Sequence, residues 1–154
     1  MAKAPRFDID PDGPLEAAAR TILYSLFTAA FDEAPAVLGG EDVRATHDMR
    51  VALRRLRTAM TTFQGCFRER KLARFARLLR RIRRRLGAVR DVDVHLAVLR
   101  AALGGATAAE SPGIAYALGT LTSRRRRALA RFAVELSQFD RSGFVQLIAP
   151  AADA

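Results

Sequence analysis

Apolar residues recur along most of the chain at spacings of three and four, the period of a helix with one buried face. Gly, Pro and short polar runs separate the periodic stretches. Asp12-Gly13-Pro14 marks a first helix start, with Pro14 near the first turn. Leu15, Ala19, Ile22, Leu26 and Ala29 then share one face, and the pattern predicts a helix to about Leu38, ended by Gly39-Gly40. A second helix is predicted from about Glu41 to Phe67, and a third from about Glu69 to Leu86, stopped by Gly87. Asp91 is placed as the cap of a fourth helix that ends before Gly104-Gly105. Val92-Asp93-Val94-His95 alternates like a strand, but Val92, Leu96, Leu99 and Leu103 carry the helical period, so this stretch also reads as helix. Ser111-Pro112 opens a fifth helix to about Ser137, and Ser142 to Ala149 forms a short sixth. The expected fold is all-α: an antiparallel bundle of about five to six helices over residues 14–150, after a polar tail at 1–13 and with a flexible link at 107–113.

Charge changes this picture from a generic bundle to one with a partner. The chain of 154 residues has 26 Lys and Arg against 16 Asp and Glu, a net charge of +10 that implies an anionic partner such as nucleic acid, a membrane surface or polyphosphate. Only Lys3 and Lys71 are Lys; the rest are Arg, whose planar fork of donors suits phosphate oxygens. From Arg44 to Arg90 there are 16 basic residues and two acids, Asp48 and Glu69, so this window carries 16 − 2 = +14 and the remainder of the chain 10 − 14 = −4. Such crowding of like charge is costly unless an anion relieves it.

Helical geometry arranges these cations into stripes. At about 100° per residue, His47, Arg50, Arg54 and Arg57 fall within about an 80° arc of the second helix, with Arg55 nearby. Met49, Leu53, Leu56, Met60, Phe63 and Phe67 take the other side as core. On the third helix Arg70, Arg74, Arg77, Arg81 and Arg84 share a stripe, opposite a core face of Phe75, Leu79, Ile82 and Leu86. Two such helices joined by a tight turn at Arg68-Glu69 are antiparallel neighbours, and the expectation is that their stripes line one groove. Arginines one turn apart repeat about every 5.4 Å, a spacing at which several can engage successive phosphates. Arg90, at the start of the predicted fourth helix, can join an anion site there. Arg124, Arg127 and Arg131 form another candidate stripe on the fifth helix, but a run of four Arg at 124–127 is more often solvated surface, so it ranks below the others.

Little else suggests covalent chemistry. Cys66 is the lone cysteine and no Cys/His cluster has zinc spacing, so no metal, cofactor or disulfide is expected. Phosphoryl transfer needs metal-holding carboxylates or a Gly-rich phosphate loop; the basic window has too few acids, and Gly87 lies in no such pattern. Asp91 and Asp93, two residues apart, are weak metal ligands, and nothing near His47 in sequence activates it as a nucleophile. The longest stretch without charge, 111–123, is too short to span a bilayer, and the N-terminal segment lacks a signal-peptide apolar run, which predicts a cytoplasmic protein. A non-specific nucleic-acid binder is the second reading; against it, the Phe residues of the basic helices point to the core and leave few aromatic platforms for bases. A phosphohydrolase and a module docking on an acidic protein are further alternatives.

His47-Asp48-Met49-Arg50-Val51-Ala52-Leu53-Arg54-Arg55-Leu56-Arg57, followed by Leu86-Gly87-Ala88-Val89-Arg90-Asp91-Val92-Asp93-Val94, resembles the CHAD family, named for a conserved histidine α-helical domain. The resemblance covers about Leu15 to Ile148. It implies non-catalytic binding of inorganic polyphosphate, association with polyphosphate granules, and a basic surface to which His47, Arg50, Arg54 and Arg57 contribute. Members of that family typically carry two related four-helix bundles, whereas the His-x-x-Arg pattern occurs once here, since His95 is followed by Val98. The chain therefore resembles one half, and a homodimer is expected to restore the two-bundle arrangement. Together the residue pattern and the resemblance nominate His47, Arg50, Arg54, Arg55, Arg57, Arg74, Arg77, Arg81, Arg84 and Arg90 as polyphosphate-binding.

Overall fold

The computed structural model describes residues 7–40 and 43–149. Its elements are α1 (Leu15–Asp32), α2 (Ala34–Gly39), α3 (Val43–Thr62), a 3₁₀ turn (Gln64–Cys66), α4 (Glu69–Gly104), α5 (Ser111–Ser137) and α6 (Arg141–Ile148). The described residues contain no strand, so the all-α bundle expected from periodicity is the fold. The α4 helix packs along α5 on one side and α3 on the other; α1 packs on α3, and α6 closes the end of the bundle against α1 and α4.

The core is built from the predicted stripes, with some rotation. Met49, Leu53 and Leu56 of α3 and Phe75, Leu79, Ile82 and Leu86 of α4 are buried as expected. On α1 the inward face is Ala19, Leu23, Leu26, Phe27, Ala30 and Phe31, while Leu15 is exposed. Phe27, Phe31, Phe75, Phe139 and Phe144 form a cluster of tilted and edge-on rings, which ties α6 and the end of α5 to α1 and α4.

Three boundaries differ from the sequence pattern. The first helix breaks at Glu33, because Pro35 lacks the N–H that would bond one turn back and its ring crowds that carbonyl. The second helix ends at Thr62 and gives way to the 3₁₀ turn through Gly65; the start expected at Glu41 lies outside the described residues. Most consequential, the third and fourth predicted helices are one helix of 36 residues that passes through Gly87 without a break. An interior Gly costs about 1 kcal/mol relative to Ala, far less than an interior Pro. The apolar series Leu72, Phe75, Leu79, Ile82, Leu86, Val89, Val92, Leu96 continues across it, and the burial it provides outweighs that cost. Asp91 is therefore an interior helical residue and not a cap, and Arg90 does not lie at a helix N-terminus.

Other local features close the elements. Gly40 takes a φ of 77°, the left-handed conformation that ends α2. Asp140 caps α6, its Oδ1 accepting from Gly143 N at 2.8 Å. Between α4 and α5, Glu110 accepts from both the backbone N–H and the hydroxyl of Thr107, and these bonds hold its carboxyl below the usual range.

At about 54 Å, α4 is nearly twice the length of α3. Leu96 is its last buried residue, and the buried residues of α5 begin only at Phe132. The far ends of α4 and α5 thus project past the core as a two-helix arm.

Candidate polyanion site

The groove between α3 and α4 collects the strongest uncompensated charge. Its register is fixed by the guanidinium of Arg50, which reaches across to α4: a Cβ added at Gly87 would lie 3.5 Å from Arg50 Nη1. Running the two antiparallel helices from that point places Arg83 opposite Arg54, Arg80 opposite Arg57 and Arg90 opposite His47. A depression of about 280 Å³ is lined by His47, Arg50, Val51, Arg54 and Arg83, with no carboxylate among them. Asp48, the nearest acid in sequence, sits 3.8 Å from Arg44 Nε instead.

Arg83 is the focus of the field. It is partly buried, and its guanidinium is pushed below the ordinary arginine value, first by that burial and then by Arg57, Arg50 and Arg54. Both causes disfavour the cation, and no ion pair or hydrogen bond to a described residue offsets them. An anion seated among these groups would add an attraction to each cation that offsets their mutual repulsion.

The sequence-predicted residues separate into three groups. His47, Arg50 and Arg54 line the groove together, and Arg57 joins them through its repulsion of Arg83. Arg90 lies on the same face of α4, two turns beyond Arg83. Arg55 belongs to a shallow depression on α3 itself, with Arg54, Thr58 and Thr62. The stripe of Arg74, Arg77, Arg81 and Arg84 is real, but it does not face α3. It lies opposite the buried face of α4 and leans toward α5.

Arg81 shows the consequence. Its Nε lies 2.9 Å from Oε2 of the buried Glu135 on α5, and its Nη2 donates to Glu135 Oε1 at 3.2 Å and to Gln138 Oε1 at 3.3 Å. Arg85 adds a second cation, 3.5 Å from Glu135 Oε1. Arg81 therefore neutralises an internal acid and is withdrawn from any groove beside α3. Arg74 lines a different hollow of about 680 Å³ at the α6 end of the bundle, shared with Arg20, Arg68 and Lys71 but also with Glu16 and Asp140. That hollow is larger than the groove, but Arg20 is committed there to Glu16 and to the carbonyl oxygens of Leu147 and Ala149. The smaller groove has no acid in its lining.

Sequence reasoning missed Arg83. Its signal was present: carrying the core series of α4 past Gly87 fixes the helix phase and puts Arg83 on the flank next to Ile82 and Leu86, the side that meets α3. It also missed Arg125 within the run at 124–127. Arg125 is largely buried, its Nε donates to the buried Asp93, and its Nη1 donates to Gly40 O at 2.8 Å. This arginine holds α5 to α4 and to the end of α2, which explains why a run of like charges contains one inward-facing member.

Among the described residues no group of three or more His, Cys, Asp or Glu is placed to hold a metal ion, and no helix is long and apolar enough to cross a membrane. The family model described as CHAD domain matches residues 21–149, most of the chain, and the protein belongs to that family. Comparison with curated proteins and with solved structures gives no match.

Proposed function

We propose that this CHAD-domain protein binds inorganic polyphosphate along the α3–α4 groove and performs no covalent step on it. CHAD domains are known as a polyphosphate-binding family, and they are associated with binding rather than catalysis. The observation that carries the reading for this chain is the cluster of Arg50, Arg54, Arg57 and Arg83 around an acid-free depression, with Arg83 disfavoured as a cation by partial burial and then by the other three. A linear chain with one negative charge per unit relieves all four at once, and His47, Arg80 and Arg90 extend the line along the same two faces. Arg77 and Arg84 on the outward ridge of α4 supply a diffuse field that draws the polymer in. Granule association follows from the same affinity.

The groove lining contains no Phe, Tyr or Trp, so a single-stranded nucleic acid gains no stacking there, and polyphosphate is favoured over it. Titration calorimetry with long-chain polyphosphate and with duplex DNA, at matched phosphate and salt, tests both the site and the ligand. Polyphosphate binds more tightly, and Arg50→Gln/Arg54→Gln/Arg83→Gln loses most of that affinity. Preference for DNA, an unchanged triple variant, or phosphate release from the polymer by pure protein overturns the proposal.

The dimer reading rests on the arm. On α4 Val98 is 61% exposed, one turn from exposed Val94, and on α5 Tyr116 is 79% exposed, apolar side chains that a second copy would cover. Light scattering reports it: the protein runs as a dimer, and Val98→Asp with Tyr116→Asp makes it a monomer. A wild-type monomer removes the dimer and leaves the groove untouched.

A further inference from the structure

On the other flank of α4, a separate cleft of about 220 Å³ is lined by Asp91 and His95 of α4 and by Arg124, Arg127 and Arg131 of α5. Nothing in the groove reading uses it. The three arginines are exposed, and among the described residues none has an ion pair or hydrogen bond. The nearby buried acids are already taken, Asp93 by Arg125 and Glu135 by Arg81 and Arg85. Three guanidinium groups and one carboxylate leave a formal 3 − 1 = +2 before His95 is counted.

The unusual member is Asp91. A carboxylate inside an anion site repels most anions, but it accepts a hydrogen bond from one that still carries a proton. Internal units of a polyphosphate chain have no proton to give near neutral pH. A terminal phosphate keeps one in part, and mostly below pH ~6, where its second ionisation falls, like that of a phosphate monoester. We infer that this cleft is a second site, specific for a terminal phosphate group: Arg124, Arg127 and Arg131 hold its oxygens, His95 donates to one, and Asp91 accepts a hydrogen bond from its remaining P–O–H. The groove holds the body of a chain, and this cleft reads an end, whether of a chain or of free orthophosphate. The inference rests on the groove reading only for the choice of phosphate as the anion.

The protein has two histidines, and they divide between the sites, His47 in the groove and His95 in the cleft. Their imidazole C–H resonances in a heteronuclear NMR spectrum are therefore separate reporters. Tripolyphosphate, with two ends, is expected to shift the His95 signal, and cyclic trimetaphosphate, which has none, to leave it in place. Orthophosphate shifting His95 identifies a free-phosphate site; a shift with tripolyphosphate alone identifies a chain-end site. Arg124→Gln/Arg131→Gln should weaken the response at His95 by at least about tenfold while His47 still answers long-chain polyphosphate. Arg50→Gln/Arg54→Gln should do the reverse. Asp91→Asn, which removes the negative charge that repels unprotonated phosphate, should let trimetaphosphate shift His95. The inference is overturned if tripolyphosphate and orthophosphate both leave His95 unmoved, if trimetaphosphate moves it as far in the wild type, or if its response depends on Arg50 and Arg54 in place of Arg124 and Arg131. Failure of the groove reading shows elsewhere, as a His47 signal indifferent to long-chain polyphosphate.

Discussion

Removing one charge at Arg83 should make the free protein more stable and the bound complex weaker. Arg83 is repelled by Arg57, Arg50 and Arg54 and is partly withdrawn from water. Each like-charge neighbour on a helical surface costs roughly 0.2–0.5 kcal/mol, so three amount to about 0.6–1.5 kcal/mol at low salt. For a chain of this size that is a rise in Tm of about 1–6 °C in Arg83→Gln, measured by calorimetry or far-UV circular dichroism. The gain is electrostatic and must vanish near 1 M salt, where the screening length falls to about 3 Å. Binding moves the opposite way. Losing one charge-assisted contact of about 1.5–3 kcal/mol weakens polyphosphate affinity about 10- to 150-fold. The slope of log K against log salt becomes shallower by roughly 0.7–0.9, as one fewer counterion is displaced. A lower Tm at low salt, a Tm gain that survives high salt, or unchanged affinity refutes the claim that Arg83 is an uncompensated cation in the binding groove.

Three further substitutions probe the frame that holds this site. Gly87→Ala should raise Tm by about 2–4 °C, since an interior helical Gly costs about 1 kcal/mol and the added methyl meets Arg50 at an ordinary contact distance; a loss of stability would mean that α4 breaks there. Asp93→Asn should cost about 3–5 kcal/mol by leaving Arg125 largely buried without its counter-charge, read as a lower urea midpoint, and a neutral result would show that Arg125 turns out to solvent. Glu135→Gln should lower stability by about 1–2 kcal/mol, discounted because the Arg81 and Arg85 side chains are 49% and 37% exposed. It frees two cations on α4, so polyphosphate binding should hold or increase; weaker binding would contradict the structural role given to Arg81.

The elements were legible where one period ran between strong punctuation. The α5 helix and the helical core faces of α3 and α4 follow directly from apolar spacing. The errors lie at the punctuation itself. Gly87 has the composition of a stop but not the physics of one, because a helix with a continuous apolar stripe passes a single glycine for about 1 kcal/mol. Pro35 has the physics of a stop, and it divides a stretch whose apolar content alone looked continuous.

The site was legible by residue type more than by direction. Its α3 half could be read from one helix, and His47, Arg50 and Arg54 meet in the groove as their arc predicts. The α4 half has two neighbours, and a stripe on a helix between two others must choose one. The core series sets the turn of α4 and puts Arg83 on the α3 side with no acid to meet it, while the buried Glu135 on α5 takes Arg81 and Arg85. A one-helix projection gives that phase but not the partner, since the pairing joins residues 54 positions apart. The division of labour has a functional logic. Arg81 and Arg85 are neutralised internally by Glu135 and help hold the bundle together. The arginines that face α3 are left charged against one another, and in the proposed reading the free energy of that repulsion is what a polyanion recovers when it binds.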